Sequence, residues 1–354
     1  MTSVGFKGAT VLVVGGAGFV GSNLVLHLIQ EEAGRIVIVD NLLSSNASNI
    51  PVHQSVEFIQ GSIADQRVLN KLTHDIDYVW HLACYHGNQS SIADPIADHD
   101  NNTITSLMLF EHLTKTSKPQ KVVYAAAGCA VAEKTFDDAE ATLEDAPISL
   151  FHDSPYSISK IVGEMYGNYY FTQTGFPFVK ARFQNIYGPR EILGAGQWRG
   201  TPATVWRNVV PTFIWKALHN EPLILEGEGK TSRDFIYIDD ICRGLLACAL
   251  HGQPGEAYNL ASGQETTIKE LAEIVIQETK SESPLELVPR RDWDHSGKRF
   301  GSTIKAKKEL GFEASVLLTT GLEHTIAWNI GRKKDIYESI ERHGSFTSER
   351  WILN

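Results

Sequence analysis

The chain has 354 residues, of which 42 % are hydrophobic and 21 % are charged, and its formal net charge is −10. These proportions are typical of a soluble globular protein of one or two domains and exclude a disordered or fibrous chain, and the acidic balance argues against binding to nucleic acid or a membrane surface. The four cysteines lack metal-ligand spacing and no apolar run could span a bilayer, so we expect a cytoplasmic protein without a metal site.

The first half of the chain alternates short strand patterns with longer helical patterns. Apolar runs rich in β-branched residues predict strands at Val11–Val14, Ile36–Val39, Val56–Ile59, Tyr78–Leu82, Val122–Ala125 and Phe178–Phe183. Helices are predicted between them at Val20–Glu32, Arg67–Leu72, Asn102–Thr116 and Ser157–Tyr170. This alternation predicts an α/β fold with a doubly wound parallel sheet covered by helices on both faces.

The pattern changes after Gly188. Residues 189–208 are rich in Gly, Pro, Arg and Trp and have no clear period, which is typical of a long functional loop or an inserted lobe. Strands or helices are predicted again at Val210–His219, Leu223–Glu226, Asp234–Ile238, Asp239–Ala249, Thr267–Thr279 and Thr303–Leu310. We therefore divide the chain into residues 1–188, a second lobe at 189–330 and a charged tail at 331–354 that favours a surface helix.

A glycine-rich loop follows the first predicted strand and opens the first helix. Its glycines, Gly15, Gly18 and Gly21, have the spacing G-x-x-G-x-x-G, which allows a tight turn and lets a pyrophosphate approach the backbone amides of a helix N-terminus. The second strand ends in Asp40, where a carboxylate accepts hydrogen bonds from ribose hydroxyls and repels a 2′-phosphate. The pattern predicts a dinucleotide site that prefers NAD to NADP.

A tyrosine and a lysine begin the helix that follows Pro155. Tyr156 and Lys160 are four residues apart, so both side chains lie on one helix face. We expect the Lys160 ammonium to lower the pKa of the Tyr156 phenol toward the working pH, since a nearby positive charge favours the phenolate. Together with the glycine loop, this pair predicts a nicotinamide-dependent oxidation or reduction.

At this point the sequence resembles the extended short-chain dehydrogenase/reductases that act on nucleotide-sugars. The resemblance covers residues 9–330 and includes H-L-A at 81–83, S-I-A-D-P at 91–95, R-F-Q-N-I-Y-G-P at 182–189 and R-D-F-I-Y-I-D-D at 233–240. The segments GNQSS, AGCAVAEKTFDD and GQWRGTPATVWRN are most similar to sugar epimerases from bacterial lipopolysaccharide O-antigen gene clusters. The family implies a Rossmann doubly wound sheet, a smaller C-terminal α/β substrate-binding lobe and a homodimer formed through helices that include Asn102–Thr116 and Ser157–Tyr170.

The resemblance also implies roles for individual residues. Tyr156 would remove the proton of a sugar hydroxyl while hydride passes to NAD, and Lys160 would position the cofactor ribose. The implied cofactor-binding residues are Gly15, Gly18, Phe19, Val20, Gly21, Asp40, Asn41, Ser62, Ile63, Leu82, Ala83, Asn102, Tyr156 and Lys160. The implied substrate-binding residues are Ser91, Asn185, Asn208, Arg233 and Arg299, with the two arginines on the diphosphate of a nucleotide-sugar that we expect to be UDP-linked.

One position departs from the family pattern. The family has a Ser or Thr at the end of the strand before the tyrosine helix, where its hydroxyl binds the same sugar hydroxyl. Here Ala127 occupies that position, and Cys129 is the nearby side-chain donor, although a weak one. The missing hydrogen bond would cost on the order of one to a few kcal/mol of transition-state stabilisation, so it bears on the rate more than on the reaction class.

Three reactions share the first oxidation step, and the sequence favours epimerisation among them. A 4,6-dehydratase needs an acid and a base, normally Asp-Glu, where this chain has Gly128-Cys129, and a uronate decarboxylase needs a carboxylate, for which Glu133 is the candidate. Epimerisation, with C4 as the inverted carbon by family resemblance, needs the fewest additional groups. A cofactor-sensing protein without turnover is the alternative outside enzymology, and the missing hydroxyl favours it slightly.

The segment 189–208 carries several arginines and tryptophans. Arg190, Arg199 and Arg207, together with Trp198 and Trp206, could form a substrate lobe whose arginines face an anionic sugar such as a hexuronate. The alternative is a structural lobe or dimer contact with solvated arginines. The sequence leaves both interpretations open.

Overall fold

The computed structural model describes residues 5–72, 74–132, 135–295 and 297–347. Its strands are β1 (Thr10–Val14), β2 (Arg35–Asp40), β3 (Val56–Gln60), β4 (Tyr78–His81), β5 (Lys121–Ala127), β6 (Ala141–Thr142), β7 (Phe178–Phe183), β8 (Asn185–Tyr187), β9 (Leu223–Glu226), β10 (Ser232–Arg233), β11 (Phe235–Tyr237), β12 (Ala257–Leu260), β13 (Thr266–Thr267), β14 (Leu285–Val288) and β15 (Phe300–Gly301).

The α-helices are α1 (Phe19–Gln30), α2 (Gln66–Leu69), α3 (Asn88–Ala93), α4 (Pro95–Asp98), α5 (Thr105–Thr116), α6 (Gly128–Val131), α7 (Pro155–Thr174), α8 (Val209–Ala217), α9 (Ile238–His251), α10 (Ile268–Thr279), α11 (Ile304–Leu310), α12 (Leu318–Gly331), α13 (Lys333–Glu341) and α14 (Gly344–Thr347). A π-helical turn at His99–Ile104 leads into α5.

The central sheet has seven strands in the order β12–β7–β5–β4–β1–β2–β3. Every pairing in it is parallel. The chain builds outward from β1 to β3 on one side and from β4 onward on the other, so the strand order reverses between β1 and β4. Ligands of such sheets bind at the carboxyl ends of the strands at this reversal. The predicted doubly wound α/β fold is confirmed.

Helices cover both faces of the sheet because its central strands are apolar on both. In β1, Val11 and Val13 face one buried apolar layer, whereas Leu12 and Val14 face the other. All four side chains are buried, and burial of each contributes about 1.5 to 3 kcal/mol to folding. This two-sided packing explains why the strand patterns in the sequence are continuous rather than alternating.

A smaller lobe adjoins the carboxyl edge of the sheet. It contains short strand pairs, β8 with β11, β9 with β14 and β10 with β13, together with helices such as α8, α10 and α12. Strand β12, which the sequence did not predict, belongs to the central sheet although it follows residue 188. The chain therefore returns to the sheet after entering the lobe, and the division at residue 188 stays a prediction.

For two of the helices, local contacts explain why the observed bounds differ from the predicted ones. The helix predicted from Asn102 begins at Thr105 because the preceding residues form the π-helical turn. Helix α7 begins at Pro155, since Ser154 caps it by accepting a hydrogen bond from the Ser157 amide, and it ends at Gly175 in the left-handed conformation. In the charged tail, α13 is a helix as expected, whereas residues 348–354 lie outside the described residues.

Candidate active site

The glycine loop joins β1 to α1 at the reversal in strand order. Gly15 has a φ of +88°, and a side chain there would place its Cβ 2.5 Å from the Ala83 amide nitrogen. A Cβ at Gly21 would overlap the Gly15 carbonyl oxygen. The glycines therefore let the loop pack directly against Leu82 and Ala83 at the end of β4, which brings these predicted cofactor residues together.

The N-terminus of α1 is built to receive an anion. Gly18 precedes the helix and offers no side-chain cap, so the first amides of the turn that contains Phe19 and Val20 lack a side-chain acceptor. Free amides at a helix N-terminus bind phosphate oxygens, and the helix dipole adds to the attraction. The loop and the helix end fit the diphosphate of a dinucleotide.

Asp40 lies at the end of β2 beside this loop. Its buried carboxylate accepts hydrogen bonds from the Ala17 amide at 3.1 Å, the Leu42 amide at 2.8 Å and the Ser45 hydroxyl at 2.8 Å. Burial raises the pKa of Asp40, and these hydrogen bonds oppose the increase. The contact with Ala17 ties the predicted ribose-binding carboxylate to the glycine loop.

The other predicted residues of the adenosine end lie around Asp40. The Gly61 amide donates to the Asp40 carbonyl oxygen at 3.0 Å, which places Ser62 and Ile63 beside the end of β2. Ser62 is half-buried and Ile63 is buried, whereas Asn41 is exposed. The carboxyl ends of β1, β2 and β3 thus gather the residues expected to hold the adenosine half of NAD.

Tyr156 and Lys160 lie in the first turns of α7. The Lys160 ammonium donates to the Ala125 carbonyl oxygen at 2.9 Å and lies 5.8 Å from the centroid of the Tyr156 ring, on the same helix face as the spacing predicts. Lys160 is 4 % exposed, so its charge is held close to the phenol without much solvent screening. The rings of His86 and Tyr156 meet edge to face, with the ring centroids 5.7 Å apart.

The direction of the Tyr156 pKa shift corrects the sequence-based expectation. Burial raises the pKa of Tyr156 above its ordinary value, and Cys84 and Cys129 contribute in the same direction. The Lys160 ammonium was expected to lower it. The prediction was wrong for the protein alone because burial, which disfavours the phenolate, is the largest influence on this pKa, and Lys160 is not among the main groups that shift it.

Two predicted binding residues hold the scaffold around Tyr156. Asn102 accepts a hydrogen bond from the Tyr85 amide at 2.7 Å and donates to the Ser159 hydroxyl at 3.2 Å, so it links the loop after β4 to α7. Ser91 is fully buried, and its hydroxyl accepts a hydrogen bond from the Tyr156 amide at 3.1 Å. Direct contact of either side chain with a ligand stays a prediction.

The wall beside Tyr156 is apolar where the family has a hydroxyl. Ala127 ends β5, and the chain turns at once into the short helix α6. Ala127 belongs to a small buried cluster with Val131 and Ile161, and both Cys129 and Tyr156 pack against it. Glu133, the candidate carboxylate for decarboxylation, lies outside the described residues.

Arg233, which is half-buried, and Arg299, which is buried, form a pair of cations in the lobe. Burial lowers the pKa of Arg233 to about 9, and the charge of Arg299 adds to the effect. Among the described residues, none accepts a hydrogen bond from the buried Nε of Arg299. Asn185 lies close by, because its amide donates to the carbonyl oxygen of Asp234 at 2.9 Å. Two adjacent guanidinium groups, one of them with a buried Nε that lacks an acceptor among the described residues, fit a diphosphate.

Two residues that the sequence did not single out join Asn208 in a network. The Asn208 amide nitrogen donates to Glu191, and its carbonyl oxygen lies 3.1 Å from Nε2 of His86. Burial raises the pKa of Glu191 to about 7 and lowers that of His86 to about 4. The only sequence signal was a glutamate next to the apolar residues ILGA, and nothing in the pattern tied it to His86.

The arginines of segment 189–208 are hydrogen-bonded within the protein, with Arg199 buried and Arg190 and Arg207 half-buried. Arg190 donates to the Ser22 hydroxyl at 3.0 Å, and Arg207 donates to the Ser44 carbonyl oxygen at 3.3 Å. Arg199 is 3 % exposed. The segment therefore packs over the glycine-loop helix and the loop that follows Asp40.

The described residues contain no cluster of three or more His, Cys, Asp or Glu side chains that could hold a metal ion. Within the same ranges, the helices are too short or too polar to cross a membrane. The site therefore consists of the glycine loop, the Tyr156–Lys160 pair, the arginine pair of the lobe and the Asn208 network.

Comparison with known proteins identifies the family. The family model described as "NAD dependent epimerase/dehydratase family" matches residues 11–261. The Bordetella bronchiseptica enzyme WbmF, crystallised with NAD+, is 49 % identical, with 97 % of this chain and 99 % of WbmF covered and a TM-score of 0.87. A further crystal structure of WbmF contains NAD+ and UDP.

Two other relatives show the range of the family. Epimerase Mth375 of Methanothermobacter thermautotrophicus is 36 % identical, with 94 % of this chain and 96 % of Mth375 covered and a TM-score of 0.86. The dTDP-D-glucose 4,6-dehydratase of Homo sapiens is 28 % identical, with 94 % of this chain and 93 % of that protein covered. The matches confirm both the expected family and the expected cofactor: the chain belongs to the NAD-dependent epimerase/dehydratase family of extended short-chain dehydrogenase/reductases.

Proposed function

We propose that the protein is a nucleotide-sugar epimerase that inverts C4 of a UDP-hexose or UDP-hexuronate through a 4-keto sugar. The observation that carries the proposal is the composition of the wall beside Tyr156, where Ala127, Gly128 and Cys129 offer no carboxyl group to act as acid or base. Removal and return of hydride at one carbon needs no second acid or base, whereas elimination of water across C5 and C6 does.

The chain supplies the proton transfer and the positioning for this reaction. Bound NAD supplies the group that accepts and returns hydride. Tyr156 takes the proton of the C4 hydroxyl as that carbon is oxidised, and it gives the proton back when the carbon is reduced from the opposite face. Tyr156 must be a phenolate before it takes this proton, and it is a neutral phenol while the 4-keto sugar is present. The Lys160 ammonium stabilises the phenolate, and the carbonyl oxygen of Ala125 holds the ammonium in place.

The diphosphate end of the substrate is assigned to Arg233 and Arg299. The adjacent charges of the two arginines and the spare Nε donor of Arg299 support this assignment, as does the presence of UDP in a crystal structure of WbmF. Asn185 lies beside them, and Asn208 lies beside His86, which leaves the sugar between the arginine pair and Tyr156. We assign the reaction to cytoplasmic synthesis of O-antigen sugars on the sequence resemblance described above.

One observation keeps a second reaction open. Glu191 is a buried carboxylate with a pKa of about 7, and Asn208 and His86 connect it to Tyr156. A carboxylate of that pKa can exchange protons near neutral pH, which a dehydratase or a uronate decarboxylase would require. Loss of CO₂ or of water from the 4-keto sugar is therefore the alternative outcome.

The test is incubation of the purified protein with UDP-glucose, UDP-galactose, UDP-glucuronate and UDP-galacturonate, followed by proton NMR. A C4-inverted product without net formation of NADH establishes the epimerase. If a UDP-pentose and CO₂ form instead, the reaction is a decarboxylation. If a 4-keto-6-deoxy sugar forms, the reaction is a dehydration. Stable binding of NAD with no turnover across a wider panel of nucleotide-sugars would support a sensor instead.

A further inference from the structure

Arg199 is a buried cation with unused hydrogen-bond donors. It lies in segment 189–208 and is 3 % exposed. One terminal nitrogen donates to the carbonyl oxygen of His86 at 2.8 Å. Its Nε and its other terminal nitrogen are buried, and neither has an acceptor among the described residues. Buried donors without partners cost free energy, so such a group points to an acceptor that a ligand provides.

The charge of Arg199 is also unmatched. Its pKa is lowered to about 10, first by burial and then by Arg207, and the groups that raise it are Tyr85 and Cys84 rather than a carboxylate. Arg182, equally buried, contrasts with it, since its guanidinium forms two hydrogen bonds of 2.9 and 2.7 Å with Glu164. Glu191 raises the pKa of Arg207, but it is not among the groups that shift the pKa of Arg199.

Arg199 lies near the part of the site that contains Tyr156. Its guanidinium lies 5.5 Å from the centroid of the Tyr85 ring, and Tyr85 immediately precedes His86. The ring of His86 in turn contacts Tyr156. The charged and polar groups that shift the pKa of Arg199 differ from those that shift the pKa of Arg233. The two cations therefore belong to different parts of the site.

We propose that Arg199 binds an oxyanion next to Tyr156, carried either by the carboxylate of a hexuronate substrate or by a phosphate of the dinucleotide. A carboxylate is planar and a phosphate is tetrahedral, and the oxygens of either group can accept paired hydrogen bonds from a guanidinium fork. The carboxylate source rests on the proposed function, whereas the phosphate source rests on family membership alone. Since the free nitrogens are shielded from solvent, the side chains that cover them move when the anion binds.

The test compares Arg199→Gln with Arg199→Lys and the control Arg190→Gln. Arg190 lies in the same segment, but its guanidinium is already hydrogen-bonded to Ser22 and Asn49. Calorimetry gives the dissociation constants of NAD, and those of UDP-glucuronate and UDP-glucose with NAD present. Binding rather than turnover is measured, so the result does not depend on which reaction the protein catalyses.

A loss of affinity that is confined to one ligand supports the proposal and identifies which ligand carries the oxyanion. A tenfold or greater loss of preference for UDP-glucuronate over UDP-glucose, with NAD affinity unchanged, assigns Arg199 to the sugar carboxylate. A tenfold or greater loss of NAD affinity, with the sugar preference unchanged, assigns it to the dinucleotide phosphate. Arg199→Lys, which keeps the charge, should retain part of the affected affinity.

Two results overturn the proposal. In the first, every ligand binds Arg199→Gln within twofold of the wild-type value. In the second, the variant loses affinity for all ligands alike and melts below the wild-type protein, as a purely structural contact with His86 predicts. Removal of an unmatched buried charge should instead leave Tm at or above the wild-type value without ligand. If the wild-type protein binds neither sugar, the proposed function fails, and NAD affinity alone decides the role of Arg199.

Discussion

Tyr156 sits between an ammonium that stabilises its charged form and an environment that disfavours it. Lys160 lies 5.8 Å from its ring, yet burial raises the pKa of the phenol. The phenol therefore keeps its proton near neutral pH until further positive charge arrives. Oxidised nicotinamide carries such a charge, so we expect Tyr156 to become an effective base only when the oxidised cofactor is bound.

Tyr156→Phe tests the assignment of the base. The substitution removes the hydroxyl but keeps the ring against His86 and the small apolar cluster, so the variant should stay folded and still bind NAD. We expect kcat to fall by a factor of about 10² to 10⁴, the range of positioned acid–base catalysis. Turnover followed by NMR and NAD binding followed by calorimetry are the measurements. Tyr337→Phe, at an exposed tyrosine on α13, is the matched control. Retention of more than half of wild-type kcat would reassign the base.

Glu191 makes stability depend on pH. Burial raises its pKa from 4.5 to about 7, so between these values the folded protein binds a proton that the unfolded chain has released. The free energy of unfolding therefore falls as pH rises through this window. Glu191→Gln removes the dependence, and we expect the variant to be about 1 to 3 kcal/mol more stable than wild type at pH 8, but nearly equal at pH 4.

Urea unfolding at both pH values measures the effect. Glu286→Gln is the control, because Glu286 is an exposed glutamate on the strand β14. The same stability difference at pH 4 and pH 8 would show that the side-chain shape of Glu191, and not its buried charge, is responsible.

At the scale of elements, the C-terminal helix α13 secures segment 189–208. Ile336 is completely buried in a cluster with Ile192, Leu193 and Trp215. Nε2 of His343 lies 3.0 Å from the Gly194 carbonyl oxygen, just beyond the end of α13. The segment that carries Arg199 thus depends on a helix that the sequence predicts only as a surface helix in a charged tail.

Ile336→Ala should loosen this segment without unfolding the sheet. Loss of a buried isoleucine side chain costs about 2 to 5 kcal/mol, and the cluster at Ile336 is separate from the cores of the sheet. We expect hydrogen exchange of the amides at 192–198 to accelerate, while those of β1 and β4 remain protected. Ile330→Ala is the control, since Ile330 is 57 % exposed. Unchanged exchange at 192–198 would mean that other contacts hold the segment.

The elements that sequence could predict are those encoded by local patterns. The run Val11–Val14 and the loop after it are determined by neighbouring residues, so both appear where expected. Strand β12 was missed because AYNL is short and contains Asn259, whose buried side-chain nitrogen donates a hydrogen bond to the Thr142 carbonyl oxygen. Pairing of that kind has no local signal in the sequence.

The same distinction applies to the site. The spacing of Tyr156 and Lys160 was sufficient to place them on one helix face. The network of His86, Glu191 and Asn208 was not predictable, because Asn208 meets a residue 122 positions earlier in the chain. The raised pKa of Tyr156 was missed for a related reason, since burial depends on packing from several segments.

At the scale of the whole molecule, the predicted homodimer has a candidate surface on α7. Ile158, Met165 and Tyr169 are 49 %, 56 % and 58 % exposed, and their spacings of seven and eleven residues place them on one side of the helix. Helix α5, the other helix assigned to the interface by family resemblance, packs beside α7. An exposed apolar row next to another helix is the pattern of a helix-to-helix interface between subunits.

Met165→Lys should therefore separate the subunits. A charge in the middle of a shared apolar surface would be buried twice in a symmetric dimer, and its desolvation would not be compensated. Light scattering after size exclusion should give twice 39.2 kDa for the wild-type protein and 39.2 kDa for the variant. Leu287→Lys introduces the same charge at a 62 % exposed apolar residue of β14 and should leave the dimer intact. A dimer that persists in Met165→Lys would move the interface away from this face of α7, and a monomeric wild-type protein would remove the homodimer altogether.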